Sequence, residues 1–199
     1  MSNKLRVKDL ITIGIFFVLY YIVSVIIASL GGIIVSNPIG LMCWPTIAGI
    51  LSGTVVILFM VKVPKPFAFF IFGMLHSIIS SILGYHFITV VFSLVFLTIA
   101  ELILRKGEYK SFKSMAIAYG LLSASLSGFL MQMFVAKEHY IAMMSATGND
   151  RTEFIATLER IVTPGTMVIV IIGGFIGGII GAYIGKAMLK KHFERAGII

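Results

Sequence analysis

Most of the positive charge lies in alternate gaps between six apolar runs, and this pattern constrains the fold more than any other feature of the chain. The runs are residues 10–30, 40–61, 67–83, 87–104, 114–136 and 165–188. Thirteen of the sixteen Lys and Arg residues flank the outermost runs or lie in the second and fourth gaps: Lys4, Arg6, Lys8, Lys62, Lys65, Arg105, Lys106, Lys110, Lys113, Lys186, Lys190, Lys191 and Arg195. Because cytoplasmic loops are enriched in Lys and Arg, we predict six transmembrane spans with both termini in the cytoplasm.

The composition fits one membrane domain. Of 199 residues, 59% are hydrophobic and 12% charged, and the mean hydropathy is +1.06. A span takes about 20 apolar residues, since about 30 Å of hydrocarbon is crossed at about 1.5 Å per residue. We therefore predict a single all-α transmembrane domain, residues 1–199, in the cell membrane and surrounded by the lipid bilayer. The net charge of +8 is explained by topology, so no nucleic-acid partner is expected.

Residues 137–164 form the longest gap, and the charge pattern places it outside. Asp150 followed by Glu153 resembles a capping box, and an apolar stripe follows on one helix face. The stripe consists of Phe154, Ile155, Leu158, Ile161 and Val162. Thr163 and Pro164 then predict the start of the last span, with Thr as the cap and Pro at the first helical position. Two interpretations stay open: a cover over a ligand site, or an interfacial helix lying on the bilayer.

Small residues recur at every fourth position of the last run. They are Gly173, Gly177, Gly181 and Gly185, and this spacing places them on one helix face where another backbone can approach closely. Docking of a partner protein and packing within the chain both remain possible for this ridge. We include the four glycines, with Gly14 in the first run, as candidate partner-interface residues.

Residues that could perform chemistry are scarce. The chain has no Walker lysine loop, no Gly-x-Ser-x-Gly and no His-Glu-x-x-His motif, so we predict no enzyme, no catalytic residue, no metal site and no resident cofactor. His76 lies near the middle of the third run, and Glu101 is expected to pair with Arg105 one turn later. No internal repeat with broken helices is apparent, which weakens the case for a secondary carrier that uses His76.

The outer ends of the runs bring together aromatic, amide and thioether side chains with little charge. We predict a ligand site formed by Asn37, Trp44, Tyr85, His86, Gln132, Met133, His139 and Tyr140. Such groups suit a largely apolar small molecule held by a few polar contacts. For Trp44 and Tyr85, anchoring at the membrane interface is the alternative. His, Met and Tyr are also haem-iron ligands, so a tetrapyrrole such as haem is one candidate ligand.

Two segments resemble a known family. Residues 4–16, KLRVKDLITIGIF, and residues 109–113, YKSFK, are similar to the Trep_Strep (MptD-type) group of substrate-binding S components of energy-coupling factor (ECF) transporters. The resemblance extends over the whole chain in length, span count and loop pattern. It implies the six-helix S-component bundle, a ligand bound near the external face, and transport powered by a transmembrane coupling protein and two cytosolic ATPases. It also implies a docking face of small residues on the first helix, where Gly14 fits and Val18 departs.

The sequence therefore predicts the substrate-capture subunit of an ATP-driven importer for a vitamin-like or tetrapyrrole-like molecule. The alternative is a stand-alone secondary transporter of a small apolar compound.

Overall fold

Helices account for nearly all of the described chain. The computed structural model describes residues 4–30, 37–146 and 152–190, and no strand occurs in these segments. The helices within them are α1 (Val7–Leu30), α2 (Pro38–Lys62), α3 (Ala68–Ile82), α4 (Ile88–Lys106), α5 (Phe112–Ser125), α6 (Gly128–Val135), α7 (Lys137–Ser145), α8 (Thr152–Ile161) and α9 (Pro164–Met188).

Five helical segments are long and apolar enough to cross a membrane. They are Val7–Ile27, Pro38–Lys62, Ile88–Lys106, Phe112–Val135, which combines α5 with α6, and Pro164–Met188. The predicted all-α membrane fold is thus confirmed. The third run forms α3, which is apolar but only 15 residues long, against the roughly 20 that a span needs. Six spans and cytoplasmic termini stay predictions.

The starts of two spans follow from local hydrogen bonding. Asn37 caps α2, and its side chain accepts a hydrogen bond from the Ile39 N–H at 2.9 Å. The predicted cap of α9 is confirmed: Thr163 and Thr166 exchange the reciprocal bonds of a capping box, and Pro164 takes the first helical position. Asp150 lies outside the described residues, so its predicted capping role is not described.

The glycines of α9 pack inside the chain. A Cβ added at Gly177 would lie 2.5 Å from the Thr46 carbonyl oxygen of α2, and one at Gly185 would lie 2.8 Å from the Gly53 oxygen. Gly181 faces the Gly49 oxygen more closely still. Backbone of α2 fills this face, which leaves no room for another chain. The structure therefore corrects the partner-interface prediction for Gly177, Gly181 and Gly185 in favour of internal packing.

The remaining two candidate interface glycines differ from each other. Gly173 is half-buried and faces the Thr46 hydroxyl, at 2.8 Å from an added Cβ, so it belongs to the same internal contact. Gly14 has open space around its Cβ position, with no atom within 4 Å. Its role in docking stays a prediction.

The predicted fifth span corresponds to one helical segment, Phe112–Val135, which contains a break between α5 and α6. Between α5 and α6 the backbone makes tighter bonds, from the N–H of Leu126 to the Ser123 oxygen and from Ser127 to Ala124. The Ser125 and Ser127 hydroxyls also donate to carbonyls three residues earlier, at 2.7 and 2.6 Å. Such side-chain bonds compete with the helical ladder. A broken helix, which the sequence did not reveal, is therefore present.

Candidate functional site

A cavity of about 260 Å³ opens into one end of the bundle, where α1 and α3 finish and α2 and α4 begin. We call this the low-charge end, because it lies opposite the cationic loops, which we define as residues 62–66 and 105–113. The charge pattern predicts that it faces outside. Its lining comprises Tyr21, Ser24, Val25, Leu41, Trp44, His76, Ser77, Ser80, Leu83, Tyr85, Thr89, Ser93, Ser125, Leu126 and Phe129.

The spacing of polar residues along the helices explains how they meet in the cavity. His76 and Ser80 on α3 lie four residues apart, as do Thr89 and Ser93 on α4, so each pair shares one helix face. The α5–α6 break brings Ser125 and its neighbours to the same space. None of the described residues that line the cavity is Asp, Glu, Lys or Arg. The site is therefore polar without a fixed charge.

Most of the lining hydroxyls are already donors to their own chain. Hydrogen bonds run from Ser24 to the Tyr20 oxygen at 2.9 Å, from Ser77 to Met74 at 3.1 Å, from Ser80 to His76 at 2.8 Å, from Thr89 to His86 at 3.0 Å, and from Ser125 to Leu122 at 2.7 Å. A hydroxyl has one proton to donate and two lone pairs. These groups consequently offer the cavity acceptor oxygens.

Two of the eight predicted ligand-binding residues line the cavity. Trp44 and Tyr85 contribute aromatic surface from α2 and from the turn between α3 and α4. Burial raises the pKa of the Tyr85 phenol, with a further contribution from Tyr21, so this residue is neutral at physiological pH. Membrane anchoring alone does not account for their position, because both side chains border an internal space.

Gln132 and His86 support the cavity without lining it. Gln132 is fully buried; its oxygen accepts the His86 N–H at 2.7 Å and its amide donates to the Phe129 oxygen at 3.0 Å. The His86 ring nitrogen Nδ1 accepts a bond from the Ile88 N–H at 3.3 Å at the start of α4. These bonds hold the α3–α4 turn against α6, so neither residue is placed to contact a ligand in this cavity.

The other four predicted residues also have structural positions. Asn37 caps α2, and Met133 packs into the hydrophobic cluster at the low-charge end. Tyr140 is 1% exposed within that cluster, and His139 Nε2 lies 2.8 Å from the Gly84 carbonyl oxygen. Tyr140 is therefore a core residue of this cluster, whereas His139 is exposed and contacts the α3–α4 turn.

Residues of α7 and α8 pack into the hydrophobic cluster at the low-charge end. Leu158 of the predicted apolar stripe is fully buried beside Tyr140, and the cluster includes Tyr85 and Phe129, which also line the cavity. This placement favours a cover over a helix lying apart on the bilayer.

Sequence reasoning missed the hydroxyl groups and gave His76 no place in the ligand site. Their only signal was the recurrence of Ser, Thr and His at three- and four-residue intervals within the outer halves of the third and fourth runs. In a membrane helix such residues are also common at helix–helix contacts, so the spacing alone does not indicate a cavity.

At the opposite end, Glu101 cross-links two loops. Its Oε1 accepts the Phe67 N–H at 2.8 Å and the Tyr109 hydroxyl at 2.7 Å. Burial and this bond to the carboxylate raise the pKa of Tyr109. The predicted pairing with Arg105 is wrong for the described structure, because the carboxylate turns toward these loop donors. A second link joins Lys65 to Asp9 at 2.6 Å.

Helices long enough to cross a membrane, arranged around an internal cavity, define a multi-pass membrane protein. Residues 7–195 match the model of a family described as hypothetical bacterial integral membrane protein (Trep_Strep), and the chain belongs to this family. No curated protein and no solved structure matches the chain.

Proposed function

We propose that this protein is the substrate-capture (S) subunit of an ATP-driven importer of the ECF type. The observation that carries the proposal is the uncharged cavity at the low-charge end, lined by aromatic and hydroxyl side chains. Ligand sites are typically concave, largely apolar and fitted with a few polar groups. The charge pattern directs this end outward, so the cavity would receive a vitamin-like small molecule from outside the cell.

Partner proteins would supply the energy. As the resemblance to S components implies, a transmembrane coupling protein and two cytosolic ATPases would drive transport; the sequence itself carries no Walker lysine loop. The cationic loops would face these partners. Gly14 on α1 remains a candidate docking position, since its surroundings are open whereas the α9 glycines are enclosed.

Ligand capture is tested by identifying the small molecule that co-purifies with the protein in nanodiscs. Mass spectrometry should detect a bound compound in the wild type and much less of it in Trp44→Ala. Tyr183→Ala is the matched control, because Tyr183 is 55% exposed on α9 and does not line the cavity. Equal retention by all three proteins would place the ligand elsewhere.

The dependence on partners is tested in proteoliposomes. Uptake of the identified compound should require the coupling protein, both ATPases and ATP. Uptake by this chain alone would contradict the importer-subunit assignment.

A stand-alone secondary carrier is the second candidate, and two observations favour it. His76 lines the cavity, and the α5–α6 break at Leu126 borders the same space. Broken helices and intramembrane ionisable groups are typical of ion-coupled carriers. This function requires uptake by the purified chain under an ion gradient, and loss of that uptake in His76→Ala.

A further inference from the structure

The polar groups of the cavity are strongly biased toward accepting hydrogen bonds. Five of the six lining Ser and Thr hydroxyls donate their proton to a backbone carbonyl three or four residues earlier. Each of these oxygens can still accept a bond, because its lone pairs are not used by the donated one. Rotating a hydroxyl toward a ligand acceptor would break the existing bond to the helix.

Few other groups compensate for this bias. The Trp44 indole N–H is the only lining side chain in the described chain that can donate but cannot accept. Four lining side chains can either donate or accept a hydrogen bond: Tyr21, Tyr85, Ser93 and His76. Fixed acceptors thus outnumber fixed donors five to one.

The absence of lining cations among the described residues adds a second restriction. A carboxylate or phosphate in the cavity would meet no Lys or Arg, and the acceptor oxygens would repel it. An ammonium or amide N–H meets the opposite environment, since the hydroxyl oxygens accept its hydrogen bonds and the aromatic residues Tyr21, Trp44 and Tyr85 also line the cavity.

We infer that the cavity selects a compact compound rich in hydrogen-bond donors, carrying amine, amide or hydroxyl groups and no negative charge. This inference rests on the proposed function only in taking the cavity as the ligand site. It specifies the class of substrate within that function and excludes acidic vitamins and other carboxylates as the main cargo.

Matched pairs of compounds test this inference, because each pair shares a ring and differs in one group. Suitable pairs are nicotinamide with nicotinate, tryptamine with indole-3-propionate, and pyridoxamine with 4-pyridoxate. Binding to the protein in nanodiscs is measured by native mass spectrometry and by thermal shift, together with any co-purified compound. In each pair that binds, the amine or amide should bind at least about tenfold more tightly than the acid.

Tighter binding of the acids, or a co-purified carboxylate, would overturn the donor preference while leaving the cavity as a ligand site. If no compound binds and none co-purifies, ligand capture itself fails, and the inference fails with it. The two failures are therefore distinguishable.

Variants of the lining hydroxyls provide the link to the cavity. Thr89→Val removes an acceptor oxygen and should weaken binding of the preferred member about threefold to tenfold, whereas Thr89→Ser keeps the oxygen and should restore binding. Thr98→Val is the control, because Thr98 makes the same type of bond, to Leu94 at 2.7 Å, on an exposed face of α4. Equal affinity of Thr89→Val and wild type would contradict a role for these oxygens.

Discussion

Replacing Gly177 with Ala should separate two central helices. The added Cβ would lie 2.5, 2.9 and 3.0 Å from the oxygen, Cα and carbonyl carbon of Thr46, whereas ordinary contacts begin at 3.4 Å. Because all three atoms are backbone, no side chain can rotate away, and α2 and α9 must move apart locally by about 0.9 Å. A gap of this size forfeits a quarter to a half of the dispersion energy between facing atoms.

The energetic effect has two opposing parts. Overpacking costs about 1–3 kcal/mol, and a clash against backbone belongs at the upper end of that range. Ala gains about 0.5–1 kcal/mol over Gly in a helix interior. We therefore expect Gly177→Ala to destabilise the protein by about 2 kcal/mol, which corresponds to a fall in Tm of about 4–8 °C for a chain of this size.

Thermal unfolding in detergent, followed by size-exclusion chromatography of the heated samples, measures this effect. Gly14→Ala is the matched control, because it makes the same change on a membrane helix where no atom lies within 4 Å of the new Cβ. That variant should be as stable as wild type or slightly more stable. If Gly177→Ala unfolds at the same temperature as Gly14→Ala, the close α2–α9 packing is refuted.

Three further substitutions test other contacts by the same unfolding measurement. Glu101→Ala should cost about 2–3 kcal/mol by leaving two loop donors without an acceptor, and Glu101→Gln should cost less because its oxygen is retained; equal losses would contradict this. Gln132→Ala should lower the free energy of unfolding by about 1–3 kcal/mol, since the partly buried His86 N–H of the α3–α4 turn loses its partner; no change would disprove the link. Thr163→Ala should lower the free energy of unfolding by about 1 kcal/mol, because α9 loses its cap. The control Ser145→Ala, at an exposed position, should leave it unchanged, and similar values for the two variants would argue against the cap.

The features that the sequence predicted correctly depend on local or one-dimensional signals. Hydropathy is a property of a continuous stretch of sequence and does not depend on tertiary contacts. The apolar runs therefore correspond to helices in the structure. The cap at Thr163 and Pro164 involves atoms within one turn and is confirmed in detail. Spacing of four residues correctly indicated a close-packing face on α9. It did not identify the neighbouring helix, because a glycine ridge allows close approach equally to a helix of the same chain and to a helix of another protein.

The candidate site was less predictable because it depends on how helices meet. Asn37, His86, Gln132 and His139 have polar side chains that also satisfy caps, turns and backbone groups, and the structure uses them in these ways. Composition cannot separate such roles from ligand contacts. The helix break near Ser125 was hidden for a related reason: its serines resemble small packing residues until their hydroxyl bonds are known.

The contacts that support the cavity also limit how it can open. The α3–α4 turn carries Tyr85 into the cavity wall, and its backbone bends at Gly84, where a φ of 109° favours glycine. His139 of α7 contacts the Gly84 oxygen, while Gln132 of α6 joins His86 to the backbone of Phe129, another wall residue. A movement of α7 away from the bundle must therefore break the contact at Gly84 and release one side of the Tyr85 turn, whereas the Gln132 bonds keep the other side attached to α6. Any such movement of α7 would therefore also disturb the cavity wall at Tyr85.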